Sequence, residues 1–245
     1  MNNIKLIYIG LLIWMMPTLL GAQNLVPNPS FEEYKSDTNC LIVSSKKEFI
    51  SIMENWTMPT DGTADILNNN YRITCRMHPT PDDRFALGTQ SPRSGDLMAG
   101  IFTYNDISYR EYLQVKLDQP IEQGQRYIAG MYVSLADSVQ LASNNLGMFF
   151  SQTAIDLDTT RVIQAIPSIN NNTVITERNG WVLVSDTFRL DYDATHLLIG
   201  NFFENENTTV QRVRDTVGTF RLTYLLNLCP TTFLFQTYSL PTMME

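Results

Sequence analysis

Short stretches in which apolar and polar residues alternate recur along most of the chain, which is the pattern of β-strands. In YREYLQVKL, residues 109–117, the side chains of Leu113, Val115 and Leu117 fall on one face of an extended strand, and more polar residues fall on the other. Stretches of this kind, rich in β-branched and aromatic residues, predict strands over 97–104, 109–117, 126–136, 145–152, 180–190 and 195–203. The alternation is weaker in 180–190, so we expect that strand to be buried on both faces.

Helical periodicity is confined to SSKKEFISIMENW, residues 44–56, which predicts a turn or two of helix. Polar segments rich in Pro, Gly, Asn and Thr predict turns between the strands, at 118–125, 168–173 and 204–209. Short strands without intervening helices predict an all-β fold of two packed sheets, a β-sandwich.

The chain opens with a leader that has the layout of a secretory signal peptide. Lys5 precedes an apolar run over residues 6–20, and small residues end the leader at Ala22. The alternative is a transmembrane anchor, but the run is about 15 residues long and Pro17 interrupts it, whereas a spanning helix needs about 20. We therefore expect cleavage after Ala22, export to the periplasm, outer-membrane surface or medium, and a mature chain without a transmembrane segment. We predict that residues 23–245 form one domain.

Composition narrows the class of partner. Hydrophobic residues make up 44% of the chain, which is enough to bury a proper core. The net charge of −8 and the absence of clustered Lys and Arg argue against a nucleic-acid partner, because phosphate binding needs concentrated positive charge.

The region after the leader combines a predicted first strand with a long loop-rich segment. Residues 23–34, QNLVPNPSFEEY, are predicted to be extended, whereas about 35–96 are dense in Pro, Asn, Asp, Thr and Gly. Two of the three cysteines, Cys40 and Cys75, flank the irregular early region, so we predict a disulfide between them. Closing that loop stabilises by at most about 4 kcal/mol. The alternative is that all three cysteines are free and buried.

Several motifs resemble, in order, those of a group of exported proteins of Gram-negative bacteria. They are NLVPNPSFEEY, a Cys, NWTMPTDGTADILN, a second Cys, PRSGDLMAGIFTY, YREYLQVKL, YVSLAD and IGNF, within residues 24–203. That group looks like a galactose-binding-like jelly roll, the architecture of many carbohydrate-binding modules, and in larger members it often precedes an OmpA-like domain. The resemblance implies a jelly-roll β-sandwich with a loop-rich insertion after the first strand.

The C-terminal segment departs from that group, whose last strand usually ends in Ile-Asp-Asp-Val and pairs beside the N-terminal strand. Here the segment RLTYLLNLCPTTFLFQTYSLPTMME carries no carboxylate before Glu245. A frameshift near residue 220 and a divergent native strand, TTFLFQTYSL, both remain open.

The resemblance also implies a structural Ca²⁺, the one cofactor that the sequence suggests, with Glu32 as a ligand. Ca²⁺ takes six to eight oxygen ligands, and the late Asp that joins it in the group is missing here. The alternative is that Glu32 and Glu33 lie at an exposed strand end.

Two aromatic clusters are candidate ligand-binding sites. In YREY, Arg110 and Tyr112 share one face of a strand and suit sugar hydroxyls or a carboxylate, whereas an internal ion pair of Arg110 explains it as well. Trp56 with Asp61 and Asp65 suits a sugar site on a loop, whereas a Trp that caps the core is the alternative. Trp181, in an apolar strand, is expected in the core.

Catalysis is the rival class. The chain has two histidines, His78 and His196, far apart and without the spacing of a zinc or nucleophile motif. A pair of carboxylates is enough for a glycosidase, but no pair is marked by its spacing. The sequence favours a monomeric, non-catalytic binding module for carbohydrate. The runner-up is an adhesion or scaffolding module that binds a cell-surface protein.

Overall fold

The computed structural model describes residues 24–35, 45–68, 90–137, 139–214, 222–227 and 235–236. The predicted Cys40–Cys75 disulfide, the leader and His78 lie outside these residues. No helix in the described part is long and apolar enough to cross a membrane.

The described residues form thirteen strands, one α-helix and one 3-10 helix. The helices are α1 (Lys46–Ile52) and a 3-10 turn (Asn205–Asn207). The strands are β1 (Trp56–Thr57), β2 (Asp65–Asn68), β3 (Leu97–Tyr104), β4 (Leu113–Ile121), β5 (Arg126–Leu135), β6 (Leu141–Ser143), β7 (Leu146–Ser151), β8 (Ile169–Asn171), β9 (Val182–Arg189), β10 (Ala194–Asn201), β11 (Val210–Arg212), β12 (Leu222–Asn227) and β13 (Phe235–Gln236).

Two large antiparallel sheets face each other across one core. One sheet has the order β1-β4-β10-β7-β8. The other has the order β13-β5-β12-β3-β2, and β9 also pairs with β5, along the edge opposite β12. Inward side chains from both sheets belong to one buried cluster. Phe150 on β7 and Phe188 on β9 join the sheets directly, since their rings stack with centroids 4.4 Å apart. The predicted all-β sandwich of two packed sheets is confirmed.

The six predicted strands and the helix are all present; β3 has its predicted bounds, and the ends of the others are altered. Ser45 caps α1 by accepting a hydrogen bond from Glu48 N, and Phe49 and Ile52 bury its apolar face. β4 continues through Pro120, which was expected in a turn. Pro120 is tolerated there because a bulge interrupts the ladder to β10, so no amide donor is missed.

The prediction that residues 180–190 are buried on both faces is wrong. Among the described strands β9 pairs with β5 alone, so it forms a sheet edge. Val184 and Phe188 are buried, while Leu183 is 49% exposed. The weak alternation therefore reflects an edge strand and not a central one.

Residues 24–34 do not form the predicted first strand. Asn28 has a φ of 46°, and its side chain accepts from Glu33 N and donates to Glu33 O and Glu54 O. Phe31 also has a positive φ, 67°, and its amide donates to Asn28 O. Two flanking prolines remove ladder donors, so an asparagine-centred turn replaces a strand.

Strand β12, within the atypical C-terminal segment, lies between β3 and β5, in the middle of its sheet. Tyr224 and Leu226 are fully buried on it. If a frameshift lay upstream of Leu222, residues 222–227 would be a chance sequence, yet they form a central strand with buried apolar side chains. A frameshift after Asn227 would not require such a coincidence.

Candidate ligand-binding cleft

A cleft of about 390 Å³ opens beside the edge of the β9-containing sheet. Its walls are residues 90–93, which precede β3, Asp137, which follows β5, and the turn before β9 with Arg178, Asn179 and Trp181. Clefts of this size fall within the range of small-ligand sites.

Trp181 lies in the cleft wall, half-buried, with the core behind it. The amide of Gln90, in the orientation that satisfies both neighbours, accepts from Trp181 Nε1 over 3.1 Å and donates to Arg178 O over 2.7 Å. Glu177 Oε1 accepts from the amides of Asn179 and Gly180 and fixes the turn. Trp181 is thus an aromatic ring in a fixed orientation at the surface of the cleft. The prediction that it lies within the core is wrong.

Arg178 ties the turn to the end of β5. Its Nη1 donates to Asp137 O over 2.9 Å, and its Nη2 donates to Val139 O over 3.0 Å. Arg214 Nη1 donates to the same Asp137 carbonyl over 3.2 Å. Burial, with the Arg214 charge second, lowers the pKa of Arg178, and Asp137 opposes the shift. Arginine nevertheless stays protonated at neutral pH.

Arg93 lies over the ring of Tyr132, with Cζ 3.6 Å from the ring centroid. Tyr132 is between Met131 and Val133 on β5, whose side chains are fully buried, so its ring is on the outer face of the sheet. This cation–π contact fixes an exposed guanidinium at the rim of the cleft.

Glu32 fastens the segment that carries Arg93. Its Oε1 accepts from Asp96 N over 3.0 Å and from Leu97 N over 2.8 Å. Gly95 has a φ of +66°, and a Cβ there would come 2.2 Å from Glu32 Oε1. The described residues hold no group of three or more His, Cys, Asp or Glu that could bind a metal.

The YREY residues anchor a covering segment. Arg110 and Tyr112 were expected on a strand, but they lie in the loop before β4, and both are fully buried. Tyr112 donates to Asn201 O over 2.7 Å and accepts from Ile163 N over 3.0 Å, and burial raises its pKa. Arg110 Nη2 donates to Asn205 Oδ1 over 2.7 Å and to Phe203 O over 3.2 Å. Hydrogen bonds to carbonyl and amide oxygens take the place of an ion pair.

The covering segment is residues 152–168, between β7 and β8. Its Ile163 packs with Tyr112, Leu198 and Phe202 in a second apolar cluster. The Gln114 amide accepts from Ile155 N over 2.8 Å and donates to Ile155 O over 3.2 Å. These contacts close the outer face of the β4–β10–β7 sheet around YREY.

Trp56, Asp61 and Asp65 lie away from the lining of the cleft. Trp56 is 1% exposed, donates from Nε1 to Asn28 O over 2.9 Å and packs against Phe31. Asp61 is exposed and lies 3.7 Å from Lys46 Nζ. Asp65 is on β2, where its charge acts on Glu111. The Trp56 ring presents no surface to a ligand in this arrangement.

Glu111 is a buried carboxyl in the loop before β4. It is 1% exposed, accepts from Tyr109 OH and from Phe102 N, both over 2.7 Å, and so holds the loop to β3. Burial, followed by the charge of Asp65, raises the pKa of Glu111 well above its usual range. A raised pKa is typical of catalytic carboxyls, but both oxygens of Glu111 are engaged and no substrate can reach them here.

Comparison with protein-family models and with curated proteins found no match. Among solved structures, the xylan-binding domain CBM22-1 of Paenibacillus barcinonensis Xyn10C aligns with a TM-score of 0.38 and 11% identity, over 74% of this chain and 85% of that one. TmCBM61 in complex with β-1,4-galactotriose aligns with a TM-score of 0.37 and 10% identity, over 88% and 99%. The enzymatically active domain of bacteriophage CBA120 tailspike protein 4 also has a TM-score of 0.37, with 11% identity, over 84% and 20%. At these TM-scores the comparisons assign no function to this chain.

Proposed function

We propose that this protein is a non-catalytic module that binds carbohydrate in the cleft beside Trp181. The observation that carries the proposal is the Trp181 ring, held by Gln90 at a cleft wall that also contains Arg178. Aromatic rings stack on the apolar faces of sugars, and guanidinium groups donate in a plane to their oxygens. The cleft contains both an aromatic ring, Trp181, and a guanidinium group, Arg178.

The acidic groups of the cleft support binding over hydrolysis. Asp137 is the one acidic residue among the described residues that line it. Glycosidases of the common type place two carboxyl groups across the scissile bond. A single carboxylate beside a fixed arginine suits recognition of hydroxyl groups.

Export is part of the proposal. The charged, apolar and small-residue parts of the leader, residues 1–22, support it, as does the resemblance to exported modules of Gram-negative bacteria. The N-terminal sequence of the protein recovered outside the cytoplasm tests it, with Gln23 expected first. Retention of the leader in that product would contradict it.

The binding proposal is tested on a polysaccharide panel with the wild type, Trp181→Ala and Trp181→Phe. We expect the alanine variant to lose binding and the phenylalanine variant to keep part of it, because a ring remains. Ile166→Ala is the matched control, since this apolar side chain is 90% exposed on the covering segment. Binding unaffected by Trp181→Ala would refute this site. A folded protein that binds no saccharide would favour the adhesion alternative.

A further inference from the structure

The described residues in and around the cleft carry more positive than negative charge, within an acidic protein. Arg93 and Arg178 line it, and Arg214 reaches the same Asp137 carbonyl as Arg178. The nearby acidic residues are Asp137 and Glu177, and Glu177 accepts hydrogen bonds from two backbone amides of the turn. The whole chain carries a net charge of −8. A local excess of guanidinium groups on such a chain favours an anionic ligand at this place.

Arg93 has no structural hydrogen-bonding task in the described part of the chain. Its guanidinium stacks on Tyr132, and it forms no ion pair or hydrogen bond with a described residue. Stacking occupies the faces of the guanidinium and leaves the N–H groups along its edge. Those edge groups match the planar, two-oxygen geometry of a carboxylate.

Arg178 is partly engaged and well fixed. One hydrogen on each terminal nitrogen goes to a backbone carbonyl, at Asp137 and at Val139. Each terminal nitrogen carries a second hydrogen. The cleft thus contains one fixed cation and one cation held only by an aromatic face, on walls that also carry the Trp181 ring.

We propose that the cleft takes an acidic saccharide, with its uronate carboxylate between Arg93 and Arg178 and its sugar ring on Trp181. This inference rests on the proposed function and names its ligand class. A carboxylate is favoured over a sulfate ester because the edge of a stacked guanidinium is planar, like the carboxylate.

The test compares polygalacturonate, alginate and hyaluronan with fully methyl-esterified polygalacturonate, a neutral galactan and dextran sulfate. Esterification removes the charge and keeps the sugar ring. We expect at least one uronate polymer to bind about tenfold or more tighter than any neutral polymer. This factor corresponds to the free energy of one charge-assisted hydrogen bond, which a neutral polymer cannot form. Polygalacturonate, if it is that polymer, should bind about tenfold better than its ester.

Arg93→Gln and Arg189→Gln form the matched pair of variants. Arg189 is exposed and pairs with Arg126, six residues along β5 from Tyr132 and so about 20 Å away. We expect Arg93→Gln to weaken uronate binding about tenfold and Arg189→Gln to leave it unchanged. Because Arg93 is exposed, the variant should fold, which circular dichroism checks.

The outcomes separate the two proposals. Neutral polymers bound as well as the uronates would overturn the acidic ligand and keep the binding module. Preference for dextran sulfate, or equal effects of Arg93→Gln and Arg189→Gln, would also overturn it, because general charge attraction would then explain the affinity. Binding of no saccharide at all would overturn the proposed function itself.

Discussion

Removal of one hydroxyl group, in Tyr224→Phe, tests whether residues 222–227 form the centre of a sheet. Tyr224 is fully buried on β12. Its hydroxyl accepts from Ser143 N over 2.8 Å, donates to Ser143 O at 2.6 Å and lies 3.0 Å from Ile175 O. The hydroxyl therefore links β12 to β6 and to the segment after β8 where water cannot replace it.

The expected loss follows from those contacts. A net hydrogen bond contributes about 1 kcal/mol, and a buried donor left without a partner costs about 1–3 kcal/mol. Phenylalanine fills nearly the same volume, so no cavity adds to the cost. We expect Tyr224→Phe to lower the free energy of unfolding by about 2–4 kcal/mol. Burial raises the pKa of Tyr224 to about 12, so the loss should be the same from about pH 6 to 9.

Urea unfolding followed by circular dichroism measures this loss. Tyr34→Phe is the matched control, because Tyr34 is 46% exposed, and its change should stay within about 0.5 kcal/mol. A Tyr224→Phe variant as stable as the wild type would contradict the buried hydrogen bonds described for this hydroxyl. It would mean that β12 does not occupy the middle of the sheet.

Two further substitutions test the interior. Trp56→Ala should lower the free energy of unfolding by about 3–5 kcal/mol, measured by urea unfolding, because it empties a core site that is 1% exposed; a loss under about 1 kcal/mol would contradict the packing. Glu111→Gln tests pH dependence: the folded pKa of Glu111 lies above its usual value near 4.5, with Asp65 and the protonated Tyr109 facing it. Its protonated form therefore stabilises the fold at low pH, and this contribution fades as the pH rises through the raised value. The stability of Glu111→Gln relative to wild type should rise from pH 4.5 to about pH 8; a constant difference would contradict the assignment.

Local pattern was enough to predict most strands. In β5 every second side chain faces the core, and the residues at those positions, Tyr127, Ala129, Met131, Val133 and Leu135, are all apolar and buried, so sequence and burial agree. For residues 24–34, the local pattern predicted a strand that the structure does not contain. A single side chain, Asn28, holds the backbone through hydrogen bonds to Glu33 and Glu54. The partner Glu54 is distant in sequence, so no local pattern reveals the turn.

The candidate site was harder to predict because it depends on long-range packing. The sequence pattern predicts no element over residues 153–167, yet this segment covers YREY through contacts such as Ile163 with Tyr112. Trp181 looked like a core residue because apolar residues follow it. The useful signal was its position directly after Gly180, at the start of an edge strand, where one side of a ring stays accessible. Arg93 and Trp181 are far apart in sequence and meet one cleft only through the fold.

The most direct test of the account follows the two indole N–H resonances of the chain without its leader during titration with a saccharide that binds. Trp181 lines the cleft, and Trp56 is the internal control, buried at 1% exposure beside Phe31. Carbohydrate bound in this cleft should shift the Trp181 resonance with saturation while the Trp56 resonance stays in place. A shift confined to Trp56, or binding that moves neither resonance, would contradict the proposal that carbohydrate occupies this cleft.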